Sequence, residues 1–412
     1  MMMMNEATLN YVRQHADDDV SQLALRGSKA PDVDLPLALR QIRGRQQARR
    51  KLPSWAALDA IVYPPHLNME QCSSEPTARY KADLCRRLLT AAQPSRPTSL
   101  LDLTGGFGVD FAFMQEAFDE ATYVERDAQL CAVASQNFAT LGLRHVSCIA
   151  ADAADYLART DGRRHSLIYL DPARRDDHGA RTYAIADCTP DVLRLMPQLT
   201  ARADHVVIKL SPMLDWRKAV SDLGPARVAE VHIVSLQNEC KELLVVLSPD
   251  VDETAVFCIN DGQNFQLTAA EASQPAPIAE APAVGPGSYL YEPNASLMKC
   301  GCFGAVARRY ALTQLGRDSH LFVAPAPVAD FPGRQFVVDA VSTMNRRDLR
   351  CALADVTRAN IATRNFPLSV AELRRRLKLS DGGDVYLFAT TLDAAGHVLI
   401  RCHKAAENHL CG

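Results

Sequence analysis

The chain has 412 residues, more than one hydrophobic core usually serves, so two or three domains are expected. Its hydrophobic content of 48% and charged content of 23% are those of an ordinary globular protein, and a net charge of −3 excludes a globally basic nucleic-acid binder while leaving room for local basic patches. No apolar run reaches the roughly 18 residues needed to span a bilayer, and the start, MMMMNEATLN, lacks the basic and apolar stretches of a signal peptide; a cytoplasmic location without membrane association is expected.

Residues 1–95 form an N-terminal helical region without β-rich alternation. Within it, RQIRGRQQARRK carries six basic residues between Arg40 and Lys51 and no acid. It fits a solvated helix face or a surface turned to phosphates. From 96 to 268 short apolar runs alternate with amphipathic stretches. SLLDL, ATYVER, VSCIAAD, SLIYLDP and HVVIKLS are strands; VDFAFMQEAF, DAQLCAVASQNFATLG and TPDVLRLMPQL are helices. That rhythm predicts an α/β domain with a parallel sheet covered on both faces. It breaks at VAEVHIVSL and ELLVVLS, too close for a parallel crossover and therefore an antiparallel pair. VFCINDGQNFQL predicts another hairpin, turning at Asp261-Gly262. Residues 269–287 are Ala/Pro-rich and read as a linker. A C-terminal region follows, ending in a helix, SVAELRRRLKL, and a hairpin, GGDVYLFATTLDAAGHVLIRCHKA.

The twelve cysteines mostly lie in apolar runs, as Cys148 and Cys258 do, which suits reduced, buried thiols. No C-x-x-C occurs. Neither Cys300-x-Cys302 nor Cys402-His403 is a usual zinc spacing, and no metal is expected.

The stretch LDLTGGFGVD, Leu101 to Asp110, runs from a strand through three glycines into a helix. Glycine permits positive φ and lets a ligand approach the backbone, and free N–H groups at a helix start favour polar ligand atoms. Gly106 and Gly108 match the first two positions of G-x-G-x-x-G, but Phe111 stands at the third, which weakens a dinucleotide reading. An adenosine without phosphates fits better, and S-adenosylmethionine is such a ligand. Glu125 ends the second strand, 17 residues beyond Gly108, where a carboxylate can accept both ribose hydroxyls. Asp152, after the third strand, suits the adenine amino group or the N-cap of the next helix. In YLDPARRDD, Asp171 closes the fourth strand and Pro172 turns the chain at the sheet edge where ligands of open α/β sheets bind. An acid and a turned carbonyl there can accept hydrogen bonds from a substrate NH and aim its lone pair at a methyl carbon. A simple strand-ending turn is the alternative.

These residues, in this order, resemble the class I S-adenosylmethionine-dependent methyltransferases. The whole chain is most similar to the bacterial methyltransferases that carry a ferredoxin-like piece and a THUMP-like C-terminal domain. The resemblance rests on LALRQIRGRQQARRKLP, MEQCSSEPTARYKA, KLSPMLD, NECKELL, YEPNASLMKCG, DFPGRQF and NFPLSVAELRRRLKLSDGGDVYLFATTL. It implies a Rossmann-like seven-stranded sheet with an antiparallel last strand over 96–268, a ferredoxin-like domain at 288–340 and a THUMP-like domain at 341–412.

For the site it implies that Gly105, Gly106 and Gly108, with Asp102 and Thr104, shape the methionine pocket. Glu125 with Arg126 would hold the ribose, and Asp152 with Ala153 the adenine. In related RNA enzymes a segment such as EQCSSEPTA covers the methionyl end, which makes Ser73, Ser74 and Glu75 candidates; helix capping by Ser74 or Glu75, with Pro76 in the first turn, is compatible with that. Asp171, Pro172 and Arg174 would carry catalysis. The family's amino-methylating members end this motif with a second proline and a base-stacking aromatic, whereas here stand Ala173 and Arg174. The arginine can stack on a base, hold a phosphate, or pair with Asp176 or Asp177. THUMP domains bind RNA, so the resemblance implies tRNA or rRNA as substrate. A small-molecule or protein substrate, or cofactor binding without catalysis, is the alternative; the absent third glycine and the Asp-Pro count against a nicotinamide oxidoreductase.

Overall fold

The structure, a computed structural model, describes residues 4–27, 31–92, 95–159, 162–174, 185–249, 251–278, 284–393 and 395–405. The N-terminal region is helical as expected, with helices Glu6–Gln14, Val20–Arg26, Leu35–Lys51, Pro53–Ala56, His66–Gln71 and Glu75–Ala92. Asn5, Asp19 and Asp34 cap the first three by accepting first-turn N–H groups. Val12, Leu23, Ala38 and Ile42 form a small core between them. Two buried amides tie the segment that follows. Gln41 bonds both backbone groups of Tyr63 (2.9 and 2.8 Å), and Asn137 bonds both of Val62 (2.8 and 2.9 Å).

The sheet then begins. Its strands are β1 (Ser99–Asp102), β2 (Glu120–Glu125), β3 (Val146–Ala150) and β4 (His165–Leu170). Two short strands that pair with each other follow, β5 (Ala173–Arg174) and β6 (Cys188–Thr189), and then β7 (Ala203–Leu210), β8 (Val228–Leu236) and β9 (Glu239–Leu247). From the β3 edge the order begins β3-β2-β1-β4-β7-β9-β8. β1 to β4 and β7 are mutually parallel, and β9 runs antiparallel to β7. Every residue of β1 and β4 is buried, as helices on both faces require. Gln237 and Asn238, both at positive φ (52° and 60°), make the tight turn from β8 to β9. The expected antiparallel last strand is therefore present.

The chain divides within this hairpin into two compact units, 1–229 with 243–252, and 230–242 with 253–412. In the second, β10 (Ala255–Asn260) and β11 (Gln263–Thr268) form the hairpin expected at Asp261-Gly262, with Asp261 at φ 52°. The segment expected as a linker starts with a short helix, Ala269–Ala272, held by a capping box between Thr268 and Glu271. Beyond it lie β12 (Tyr289–Pro293), β13 (Thr313–Gln314), β14 (Phe322–Ala324), β15 (Gly333–Thr343), β16 (Asn360–Arg364), β17 (Tyr386–Leu392) and β18 (Gly396–Lys404). They form one sheet in the order β13-β14-β12-β15-β18-β17-β16. β15 pairs with β12 on one side and β18 on the other, so the regions before and after it share a sheet. Phe336, Phe388 and Ile400 anchor its core. Among the described residues no helix is long and apolar enough to cross a membrane.

Candidate active site

The carboxyl ends of β1, β2, β4 and β7 bring most of the sequence-derived residues together. Between β1 and the helix Val109–Met114, the three glycines answer to different demands. A Cβ on Gly105 would lie 2.0 Å from the Tyr123 ring, and one on Gly108 (φ 84°) would lie 2.5 Å from Phe138. Packing forbids side chains at both. Gly106 (φ 58°) is different: a Cβ there would meet only the Thr104 carbonyl, at 3.8 Å. Its open side is one that a ligand can approach. The Tyr123 hydroxyl donates to the Gly106 carbonyl, and Trp55 packs edge-on against Phe107 at 5.0 Å. Sheet and N-terminal helices thus both hold the loop.

Glu125 is buried at the end of β2. Its Oε2 accepts the Gly106 N–H and its Oε1 accepts the Asp127 N–H, each at 2.8 Å. The carboxylate is thereby fixed beside the loop, while the adjacent Arg126 is exposed. Ala151 N–H donates to the Glu125 carbonyl at 3.0 Å, drawing the ends of β2 and β3 together. Asp152 is exposed and caps the helix Ala153–Arg159, its Oδ1 accepting the Ala154 and Asp155 N–H groups at 2.8 and 3.4 Å; Ala153 is buried behind it.

Asp171 sits one residue past β4. Its N–H donates to Thr104 Oγ1 at 2.6 Å, which couples it to the glycine loop. Lys209 Nζ donates to its Oδ2 at 2.7 Å. The Lys209 ammonium also donates to Ser73 Oγ at 3.2 Å and lies 3.6 Å from Asp110 Oδ2. Asp110 Oδ2 accepts hydrogen bonds from Ser73 and Tyr169 at 2.8 and 2.9 Å, and its Oδ1 faces Lys81 Nζ at 3.2 Å. Burial alone would raise the Asp110 pKa, but Lys81, Lys209 and the two hydroxyls outweigh it and hold the carboxyl below the usual range. Asp102 goes the other way: burial, with the neighbouring charges of Asp110, Asp171 and Glu125, pushes its pKa well up despite the Thr104 N–H it accepts at 2.9 Å.

Lys81, Asp110, Tyr169 and Lys209 were not among the sequence-derived candidates. Lys209 is the one cation in the apolar strand HVVIKLS, and Lys81 falls on a buried helix stripe with Ala78, Cys85 and Leu88. A lysine on a buried face is the signal that could have found both.

Of the segment before the first strand, Ser73 joins this network and Glu75 does not. Glu75 Oε2 accepts the Ser54 N–H and hydroxyl (3.0 and 2.8 Å), and Oε1 accepts Arg79 (3.1 and 2.6 Å). Burial opposes its ionisation, but these bonds lower its pKa. Ser74 precedes the helix Glu75–Ala92: its carbonyl accepts the Ala78 N–H at 2.9 Å, and its hydroxyl bonds the Thr77 hydroxyl at 3.1 Å. Pro172 is buried. Arg174 pairs with Cys188 through the backbone, while its side chain, like Asp176 and Asp177, lies outside the described residues.

The basic segments are partly engaged within the fold. Arg45 pairs with Asp59 at 2.6 Å and Arg49 with Asp17. Lys51 donates to the Met69 and Glu70 carbonyls (3.0 and 2.7 Å), and burial lowers its pKa. Arg43 and Arg50 are exposed, as are Arg375 and Arg376 in the helix Val370–Leu377, where Arg374 pairs with Asp381 at 2.6 Å.

Comparison with known proteins fits this frame. A ferredoxin-like domain family matches residues 289–332 and a THUMP domain-like family matches 333–404. No curated protein matches the sequence significantly. Among solved structures, a Porphyromonas gingivalis W83 protein with a provisional methyltransferase assignment superposes with TM-score 0.83 at 32% identity, covering 98% of this chain and 100% of its own. An rRNA methylase from Streptococcus thermophilus matches 42% of this chain and 96% of its own at 14% identity and TM-score 0.32. A SAM-dependent methyltransferase from Agrobacterium tumefaciens matches 42% of this chain and 61% of its own at 16% identity and TM-score 0.31. Fold, domain matches and full-length similarity to the Porphyromonas protein agree: the chain belongs to the class I S-adenosylmethionine-dependent methyltransferase family that carries ferredoxin-like and THUMP-like domains.

Proposed function

We propose that this chain transfers a methyl group from S-adenosylmethionine to a base of RNA, tRNA or rRNA. The observation that carries the reading is the pair of backbone links at one sheet edge: Gly106 N–H to Glu125 and Asp171 N–H to Thr104. They join a cradle, an acid suited to a ribose and a second acid into one rigid constellation. The residues fit the cofactor, because Gly106 offers an open side that a Cβ would occupy and Glu125 is fixed by only one N–H bond on each oxygen.

The loop from Thr104 to Gly108, with Asp102 behind it, is assigned to the methionyl end, Glu125 and Arg126 to the ribose, and Asp152 and Ala153 to the adenine. When bound, S-adenosylmethionine supplies an electrophilic methyl on a sulfonium. The protein's part is then alignment and exclusion of water. Lys209 grips Oδ2 of Asp171, and Oδ1 has no partner among the described residues. Asp171 is assigned to accept a hydrogen from the target nitrogen and so aim its lone pair, Pro172 to turn the chain there, and Arg174 to the nucleotide, as a stacking or phosphate-binding guanidinium. Ser73 serves through Lys209 and Asp110; Glu75, engaged by Ser54 and Arg79, is assigned to the fold.

RNA as substrate is supported by the THUMP domain-like match and by the exposed arginines at 43, 50, 375 and 376. The test is incubation of the full chain with radiolabelled cofactor and total RNA from a strain lacking the gene. Label that is ribonuclease-sensitive and falls as salt rises is expected. Label confined to protein or to small molecules would instead make the substrate one of those.

A further inference from the structure

The sequence spacing gave no reason to expect a metal, yet the second unit gathers three cysteines. Cys258 lies in β10, Cys300 ends the helix Ala295–Cys300, and Cys302 precedes the helix Phe303–Arg309. Their three sulfurs lie within 4.8 Å of one another, and the residues are 1%, 0% and 0% exposed. Gly301, at φ 70° and ψ 25°, makes the left-handed turn that brings Cys300 and Cys302 to the same point. Cys302 occupies the N-cap position of the second helix but makes no capping hydrogen bond.

We propose that Cys258, Cys300 and Cys302 form a three-thiolate site for a soft d10 metal ion, zinc(II) or copper(I). Thiolates select such ions. Metal–sulfur bonds of about 2.3 Å in a trigonal arrangement separate the sulfurs by about 4 Å, so closure asks for movement of about 1 Å or less. A disulfide asks for far more, about 2 Å between sulfurs, and leaves one thiol over. No His, Asp, Glu or further Cys joins the three among the described residues. That number suits copper(I). Charge favours zinc(II), which leaves one net negative charge buried where copper(I) leaves two; zinc would take its fourth donor from water or backbone. Binding releases the thiol protons, so affinity falls on acidification. The ion would clasp β10 to the turn between the two helices, a structural role separate from methyl transfer.

The test uses the full chain with Cys351 and Cys411 replaced by serine in every protein compared. Reduced protein is loaded with zinc(II) alone or copper(I) alone, passed over a desalting column and assayed by mass spectrometry for metal. Retention of one equivalent in either arm, lost in Cys258→Ala and in Cys302→Ala, is the expected result, and the arm that retains identifies the ion. Cobalt(II) should give a thiolate charge-transfer band that both variants lack. Should the variants not fold, loss of the ion from the unsubstituted protein as pH falls, with the fold retained by circular dichroism, tests the same claim. No retained ion, equal retention by folded variants, or a disulfide among the three in the freshly purified protein overturns it.

Discussion

Lys209 Nζ lies 2.7 Å from Asp171 Oδ2, at the ends of two adjacent parallel strands. The same ammonium reaches Ser73 and Asp110, so the acid assigned to the substrate is held through a buried network. Lys209→Met and Asp171→Ala are therefore expected to lower kcat by about 10²-fold or more, while cofactor affinity stays within about threefold of the parent. Steady-state kinetics with separate calorimetry checks this. Full turnover in Asp171→Ala would remove that residue from the mechanism.

Lys81 is 1% exposed and pairs with the buried Asp110. Removing one member of a buried pair costs about 3–5 kcal/mol when the other charge is left bare, but Lys209 and the Ser73 and Tyr169 hydroxyls still face Asp110. Lys81→Met should therefore lose less than that in urea unfolding, and Asp110→Asn added to it should cost less than it does in the parent. An additive second loss would mean the two groups do not interact.

The three glycines should separate. Gly105→Ala drives a methyl into Tyr123 and should cost about 1–3 kcal/mol; Gly108→Ala meets Phe138 in the same way and adds the strain of its positive φ, about 1–2 kcal/mol more. Gly106→Ala meets open space, so its cost is the positive φ alone, about 1–2 kcal/mol. It should nevertheless lose at least about tenfold in cofactor affinity, because the new methyl enters the cradle. Urea unfolding and calorimetry on the three variants distinguish packing from ligand approach.

Asp110 and Asp102 give opposite pH dependences. The folded pKa of Asp110 is depressed below its ordinary 3.8, so its contribution to stability is present above about pH 4 and is lost as pH falls through the folded value. Asp102 is raised well above 3.8. The unfolded chain gives up that proton first, and stability declines as pH rises from about 4 toward the folded value. Asp102→Asn, which keeps an oxygen for the Thr104 N–H, should melt higher than the parent at pH 7, with the advantage vanishing near pH 4. A variant that melts lower at neutral pH would contradict the raised value.

Local chemistry made much of the first unit legible. Gly106, Glu125 and Asp171 lie at or just beyond the ends of strands whose apolar runs are unmistakable, and the carboxyl ends of parallel strands gather at one edge by topology alone. The two-residue turn at Gln237-Asn238 was legible as a short gap. Lys209 and Lys81 were not, because a lysine is read as solvated unless its partner is known, and Asp110 comes from another segment. The separate demands on Gly105 and Gly108 were hidden for the same reason: Tyr123 and Phe138 arrive from β2 and the helix after it. The three cysteines escaped because Cys258 is brought to Cys300 and Cys302 only by the pairing of distant segments.

Glu125 joins Gly106 to Asp127 through two bonds of 2.8 Å, and on its carboxylate the assignment of the cofactor site rests. Hydrogen bonds to a charged acceptor are worth about 1.5–3 kcal/mol, or about 10–100-fold in affinity. Isothermal titration of S-adenosylmethionine into the parent chain and Glu125→Ala measures this directly. One equivalent bound by the parent, weakened about 10–100-fold by Glu125→Ala and unchanged by Asp171→Ala, is the predicted result; no binding by the parent, or equal binding by Glu125→Ala, would contradict a cofactor site at this sheet edge.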